Sequence, residues 1–137
     1  MPKQALHRNH NAVFRLVYHL VLVSKYRRKV FTEAILVRCA EILRGLCLAW
    51  DGELLECSGE GDHVHALLDM PPRVQPSALI NNLKTVSSRR LRAEFSSLRT
   101  AYRGKAVLWS PSYCLVSAGG APIDILRQYV ENQERPE

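Results

Sequence analysis

The chain lacks a CxxC pair, a regular cysteine framework and any long apolar run, and each absence removes a class of protein. Its four cysteines, Cys39, Cys47, Cys57 and Cys114, are scattered, which argues against a disulfide scaffold and leaves reduced cytosolic thiols. The longest apolar stretch, around Leu16 to Val23, is interrupted by Tyr18 and His19, far short of the roughly 20 residues of a membrane span. The opening Met1-Pro2-Lys3-Gln4-Ala5-Leu6-His7-Arg8 has no apolar signal-peptide core. No repeat or low-complexity linker breaks the sequence. A cytoplasmic protein with no membrane partner is expected, folded as one domain over residues 1–137.

Acidic residues are also scarce, 13 against 19 basic ones, for a net charge of +6. The imbalance is local. Between Lys84 and Lys105 stand seven basic residues (Lys84, Arg89, Arg90, Arg92, Arg99, Arg103, Lys105) and one acidic one, Glu94, so this stretch carries the whole excess. A second cluster is Lys25, Arg27, Arg28 and Lys29. Concentrated positive charge with aromatics nearby favours a polyanion, with nucleic acid first among candidates. The plainer reading is a soluble basic face with no partner.

What is present is an apolar content of 47%, arranged in clear periods. Val13 to Val23 alternates, with Phe14, Leu16, Tyr18, Leu20 and Leu22 on one face and Arg15 and His19 on the other, as in a strand. Thr32 caps a helix carrying Ile35, Leu36, Cys39, Ile42, Leu43 and Leu46, which should stop at Asp51-Gly52. Glu53 to Cys57 and His63 to Met70 read as a hairpin joined by Ser58-Gly59-Glu60-Gly61. After Pro71-Pro72, Ser77 caps a long helix with a buried stripe of Leu79/Ile80, Leu83, Val86, Leu91, Phe95 and Leu98. Ala106 to Ser117 reads as a fourth strand, interrupted by Pro111 as at a bulge or an edge. Gly119-Gly120 is a flexible joint near 118–121, and Pro122 opens a final helix over 122–134. The order β-α-β-β-α-β-α gives an α+β, ferredoxin-like sandwich: one antiparallel sheet with helices on one side and a mobile C-terminal tyrosine helix.

Two motifs carry chemistry. In Asp62-His63-Val64-His65-Ala66 the two histidines share a strand face and Val64 points away. In Tyr129-Val130-Glu131-Asn132-Gln133, Tyr129 and Gln133 are one helical turn apart on one face. Two imidazoles and an amide oxygen could hold a divalent metal, with a phenol beside it. The plainer readings are two half-exposed strand histidines and a tyrosine that packs the last helix onto the sheet. Asp62 could orient a ligand histidine as its acceptor. Asp69 and Glu56 are further oxygen ligands at lower odds, and Cys57 lacks the spacing of a zinc set. Taken together, these groups suit attack by Tyr129 on a phosphodiester, leaving a 5′-phosphotyrosine and a free 3′-OH that lets a strand be rejoined without ATP. Only single-stranded DNA offers its backbone at such a site, which fits a basic helix beside it. Lys84, Arg89, Arg90 and Arg92 are the candidate DNA contacts.

These residues lie in blocks that resemble the HUH single-tyrosine transposases, the TnpA type of the smallest bacterial insertion sequences. The blocks are Val17-Tyr18-His19-Leu20-Val21, Lys25-Tyr26-Arg27-Arg28-Lys29-Val30-Phe31, Asp62-His63-Val64-His65, Ser87-Ser88-Arg89-Arg90-Leu91-Arg92, Trp109-Ser110-Pro111-Ser112-Tyr113, Gly119-Gly120 and the tyrosine motif. The resemblance implies a bacterial or archaeal enzyme that excises and inserts one DNA strand at hairpins near its element's ends, using Mg²⁺ or Mn²⁺. It implies His63, His65 and Gln133 as metal ligands and Tyr129 as nucleophile. It also implies a homodimer in which the tyrosine helix of one copy serves the histidines of the other. Cys114-Leu115-Val116-Ser117-Ala118 departs from the aromatic-containing stretch that the family leads one to expect. The rival reading is a non-catalytic or chromosomally repurposed hairpin-DNA-binding protein of the same fold.

Overall fold

The alternation before Lys25 becomes the central strand of a four-stranded antiparallel sheet. A computed structural model of the chain describes residues 7–8, 13–14, 16–118 and 123–133. A two-residue pair, β1 (His7–Arg8) and β2 (Val13–Phe14), precedes the central strand β3 (Val17–Val23). The strand expected from Val13 is thus two pieces: its first residues pair with His7–Arg8 instead of extending the main sheet. On one side β3 pairs with β5 (His63–Asp69), Val23 opposite His63 and Val21 opposite His65. On the other it pairs with β6 (Cys114–Ser117), Val21 opposite Cys114. β4 (Glu53–Glu60) is the outer neighbour of β5, so the spatial order is β4-β5-β3-β6. That order, with helices in both crossovers, is the ferredoxin-like arrangement.

Helices α1 (Glu33–Ala49) and α2 (Pro76–Glu94) cover one face. Thr32 Oγ1 accepts from the Ile35 amide at 3.3 Å, as its capping role requires. The core on this side joins Leu20, Leu22, Val64, Ala66 and Leu68 from the sheet to Ile35, Ile42, Leu43, Ile80 and Leu83 from the helices. Cys57, opposite Ala66 in the sheet, packs against this core and is turned away from His63 and His65, so it is not part of any site with them. All four cysteines are free thiols. Burial raises those of Cys47 and Cys57 to about 12 and about 11.

Several local expectations shift. The hairpin turn is shorter than four residues, because Ser58, Gly59 and Glu60 stay in β4 and pair with His65, Val64 and His63. Gly59 reads as a turn residue but serves a close approach: a Cβ there would lie 2.5 Å from the His63 carbonyl and 2.8 Å from Leu36 Cδ2. Ser77 is not the cap of α2, which begins at Pro76 after Gln75. The buried position at the middle of this helix is Ser87 rather than Val86, and Ser87 Oγ accepts from Trp109 Nε1 at 2.9 Å. The helix stops at Phe95, whose backbone is extended (φ −124°, ψ 106°), and α3 (Ser96–Ala101) follows. The fourth strand is only its last four residues; upstream, Trp109 makes a single bridge to Ser24. The last helix, α4 (Ile123–Glu131), lies on the sheet face opposite α1 and α2, where Val130 is buried against Val21 and Val23. The expected joint at Gly119-Gly120 and the opening Pro122 lie outside the described residues. Among the described residues, no helix is long and apolar enough to cross a membrane.

Candidate functional site

The open face of the sheet carries a cleft of about 580 Å³ whose walls include His63, His65, Asp62 and Arg27 from the sheet side and Arg127, Val130 and Glu131 from α4. His63 and His65 point into it because Val64 and Ala66, their alternates in β5, are in the helix-side core. His63 Nδ1 lies 2.9 Å from Asp62 Oδ1. Arg27 Nε donates to the other oxygen of the same carboxylate at 2.9 Å, and Arg27 Nη1 donates to the Glu131 carbonyl at 3.3 Å. Asp62 is therefore the hub that fixes His63 and ties it through Arg27 to α4. Burial opposes its charge, but the hydrogen bonds from His63 and Arg27 outweigh that and hold its pKa below the usual carboxylate value. With Nδ1 donating to Asp62, the Nε2 lone pair of His63 is left open, the tautomer a metal ligand needs.

His65 has a different neighbour. Its Nε2 lies 2.8 Å from His19 Nδ1, and the two rings stack with centroids 5.0 Å apart. Burial, and then the nearby His19 and His63, push the pKa of His65 down, while Glu56 opposes them. A neutral imidazole at neutral pH follows. His19 was legible as a residue on the non-core face of the first strand, but nothing in its spacing to His65, 46 residues on, says that the two meet. Glu56 shares this face through its pairing with Leu67. Asp69 sits at the far end of β5, opposite Val17, and lies outside the cleft.

Tyr129 and Gln133 do share one side of the α4 end, and that side faces the loop before β6. Tyr129 Oη lies 2.8 Å from Ser112 Oγ. Gln133 Oε1 accepts from Ser110 Oγ at 3.2 Å and from Ser112 Oγ at 3.1 Å. Lys84 Nζ braces the same loop, donating to the carbonyls of Ser110 (2.8 Å) and Pro111 (3.1 Å). Burial raises the Tyr129 phenol above its ordinary value, and the Ser112 hydroxyl partly offsets this. Neither Tyr129 nor Gln133 lines the histidine cleft. Tyr129 packs near Cys114, which is separated from His65 by β3, so the two lie roughly 10 Å apart along the sheet. Within one chain the two motifs stand side by side on one face without joining. Among the described residues no three His, Cys, Asp or Glu side chains converge on a metal position. The two imidazoles are of the type that holds a divalent ion, and among the described residues the Nε2 of His65 is engaged by His19.

The basic helix is not beside the cleft. α2 packs on the other face, where Arg89 is exposed and Arg92 Nε donates to Ser88 Oγ at 3.0 Å. Of the four candidate DNA contacts, Lys84 alone reaches the neighbourhood of Tyr129, at the β6 edge. The cations around the histidines are Arg27, Lys29 and Arg127, drawn mostly from the smaller cluster.

Residues 12–133 match the family model described as transposase IS200-like. The ISDra2 transposase TnpA of Deinococcus radiodurans is 30% identical over 125 residues, covering 91% of this chain and 89% of that protein. The transposase for insertion sequence element IS200 of Salmonella typhimurium is 33% identical over 116 residues, covering 85% of this chain and 75% of that protein. A crystal structure assigned to a transposase of Deinococcus radiodurans superposes with a TM-score of 0.86 at 30% identity, over 95% of this chain and 99% of the other. A REP-associated tyrosine transposase bound to a REP hairpin shares the fold alone, at a TM-score of 0.53 and 11% identity over 91% of this chain and 68% of the other. A histidine pair and a tyrosine helix on one face of this sheet, read with those matches, make the chain a member of the IS200-like transposase family, single-tyrosine enzymes that transpose DNA.

Proposed function

We propose that the chain cuts and rejoins single-stranded DNA at hairpin-bearing element ends, with Tyr129 as nucleophile, and that it works as a homodimer whose active sites form in trans. The observation that carries this is the separation of two half-sites on one sheet face. His63 and His65 open into a cleft lined by cations, while Tyr129 and Gln133 are held at Ser110 and Ser112. A second copy supplying Tyr129 and Gln133 to the cleft completes the set. Hairpin recognition is supported by the fold relative solved with a REP hairpin.

In the reaction the Tyr129 oxygen attacks phosphorus and the bond to the 3′-oxygen breaks. The strand is left as a 5′-phosphotyrosine with a free 3′-OH. The 3′-OH of a second strand then attacks that phosphorus, restores a phosphodiester and releases the phenol, with no net change in the number of phosphoester bonds. His63, His65 and Gln133 are the residues that would hold a divalent ion, Mg²⁺ or Mn²⁺, whose chemistry there is to offset charge on the leaving 3′-oxygen. Asp62 keeps His63 in the required tautomer. Arg27, Lys29 and Arg127 give the cleft a positive lining for the phosphate backbone.

The test is a denaturing gel of protein incubated with labelled single-stranded hairpins from the DNA flanking the gene, with Mg²⁺ or Mn²⁺. Wild type should form a protein–DNA adduct on the 5′-phosphate side, absent from Tyr129→Phe and His65→Ala. Tight hairpin binding with no adduct under either metal would leave a binding protein and overturn the enzyme mechanism for this chain.

A further inference from the structure

The turn after β3 carries residue types that its backbone does not favour. Tyr26 and Arg27 are both left-handed, at φ 63° and 55°, a conformation that Gly or Asn adopts with little strain and a bulky side chain rarely enters. The surroundings hold it there. Lys25 N donates to the Leu108 carbonyl at 2.7 Å, Ser24 Oγ to the Arg28 carbonyl at 2.6 Å, and Tyr102 Oη to the Lys25 carbonyl at 2.8 Å. Strain kept in place this way is common at ligand clamps.

Arg27 has a visible use, since it bonds Asp62 and lines the histidine cleft. Tyr26 has none within the fold. It is 41% exposed and stands outside the core. Among the described residues its hydroxyl has no hydrogen-bond partner, and the groups over its ring are cations. Lys25 Nζ lies 5.4 Å and Arg28 Cζ 5.3 Å from the ring centroid. Arg28 is fixed, because its guanidinium also lies 5.1 Å from the Tyr102 ring and donates to the Ala101 carbonyl. Lys25 Nζ has no hydrogen bond or ion pair among the described residues, so its flexible stem can carry the charge from the ring to a phosphate.

We propose that Tyr26, flanked by Lys25 and Arg28, is a stacking site for an unpaired nucleobase of the strand that enters the histidine cleft. It rests on the reading that single-stranded DNA is the substrate. An exposed aromatic face with adjacent positive charge is what sequence-tolerant single-strand binding uses, because every base has a π-face and every nucleotide a phosphate. Duplex DNA offers no free base face to it. Tyr26 is not itself a wall of the cleft, but its chain neighbour Arg27 is, so the stacking site adjoins the cleft along the chain.

Three proteins test this by fluorescence anisotropy with a fluorescein-labelled, mixed-sequence single strand: wild type, Tyr26→Phe and Tyr26→Asn. Phe keeps the ring and should bind within about twofold of wild type, whereas Asn should lose roughly 5- to 150-fold, the range expected for one stacked base. Asn suits a left-handed backbone, so its Tm should equal or exceed that of wild type. A strand carrying 2-aminopurine should be quenched by wild type and Phe and not by Asn; no quenching by wild type would overturn the stacking site whatever the variants' stability. Single-strand affinity of Tyr26→Asn equal to wild type would overturn the stacking site and leave the single-strand substrate standing. A wild type that binds no single strand would overturn both.

Discussion

Tyr129 Oη and Ser112 Oγ are 2.8 Å apart, and the same serine hydroxyl serves Gln133 Oε1 at 3.1 Å. The two residues that the proposed chemistry needs at the histidines are thus parked together on one loop of their own chain. Net hydrogen bonds of this kind contribute about 0.5–1.5 kcal/mol each, enough to bias the docking of a short helix.

Ser112→Ala should therefore loosen α4 and leave the sheet intact. Amide hydrogen exchange over 123–131 is expected to quicken by roughly 5- to 150-fold for the two bonds lost, with β3 and β5 unchanged. The adduct yield should hold or rise. Unchanged exchange in α4 would show that the serine contacts do not hold the helix.

Asp62 sets an acid limit on stability. Its pKa is held below the ordinary carboxylate value in the fold, so the unfolded chain takes up a proton at higher pH than the folded one. The stabilisation is present above the ordinary carboxylate pKa and is lost as pH falls through the lower, folded value. At neutral pH Asp62→Asn should cost about 1.5–3 kcal/mol, the usual loss for a hydrogen bond to a charged group. In a urea series the gap to wild type should close as pH drops through that window. A gap independent of pH would mean that the charge is not what matters.

Gly59→Ala is expected to destabilise by about 1–3 kcal/mol through overpacking, since the new methyl would meet the His63 carbonyl and Leu36. The backbone carbonyl cannot swing aside as a side chain can. Chemical denaturation that shows no loss would place Leu36 and β5 farther from Gly59 than they are here.

Much of the architecture could be read from periodicity, because the patterns at Leu20/Leu22, Ile35 to Leu46 and Val64 to Leu68 are set by one large core. Boundaries were less legible where a residue serves its neighbours. Gly59 looks like a turn but makes room for α1, and Ser87 looks like a surface residue but accepts from Trp109 in the core. At the site, the shared faces of His63 with His65 and of Tyr129 with Gln133 follow from strand and helix geometry. The partnership of His19 with His65 does not, because strand pairing brings it about across 46 residues. The placing of the basic helix on the far face is illegible for a similar reason. Charge density along the sequence says nothing of which side of a sheet a crossover helix takes.

The most direct test of the account mixes two inactive proteins, Tyr129→Phe and His65→Ala, before adding the single-stranded hairpin and divalent metal. If sites form in trans and subunits exchange at random, half of the dimers pair the two variants, each such pair has one intact site of two, and about a quarter of the wild-type adduct should return, attached to the His65→Ala chain. A mixture as inactive as its components, beside a wild type that forms the adduct, would contradict an active site shared between copies.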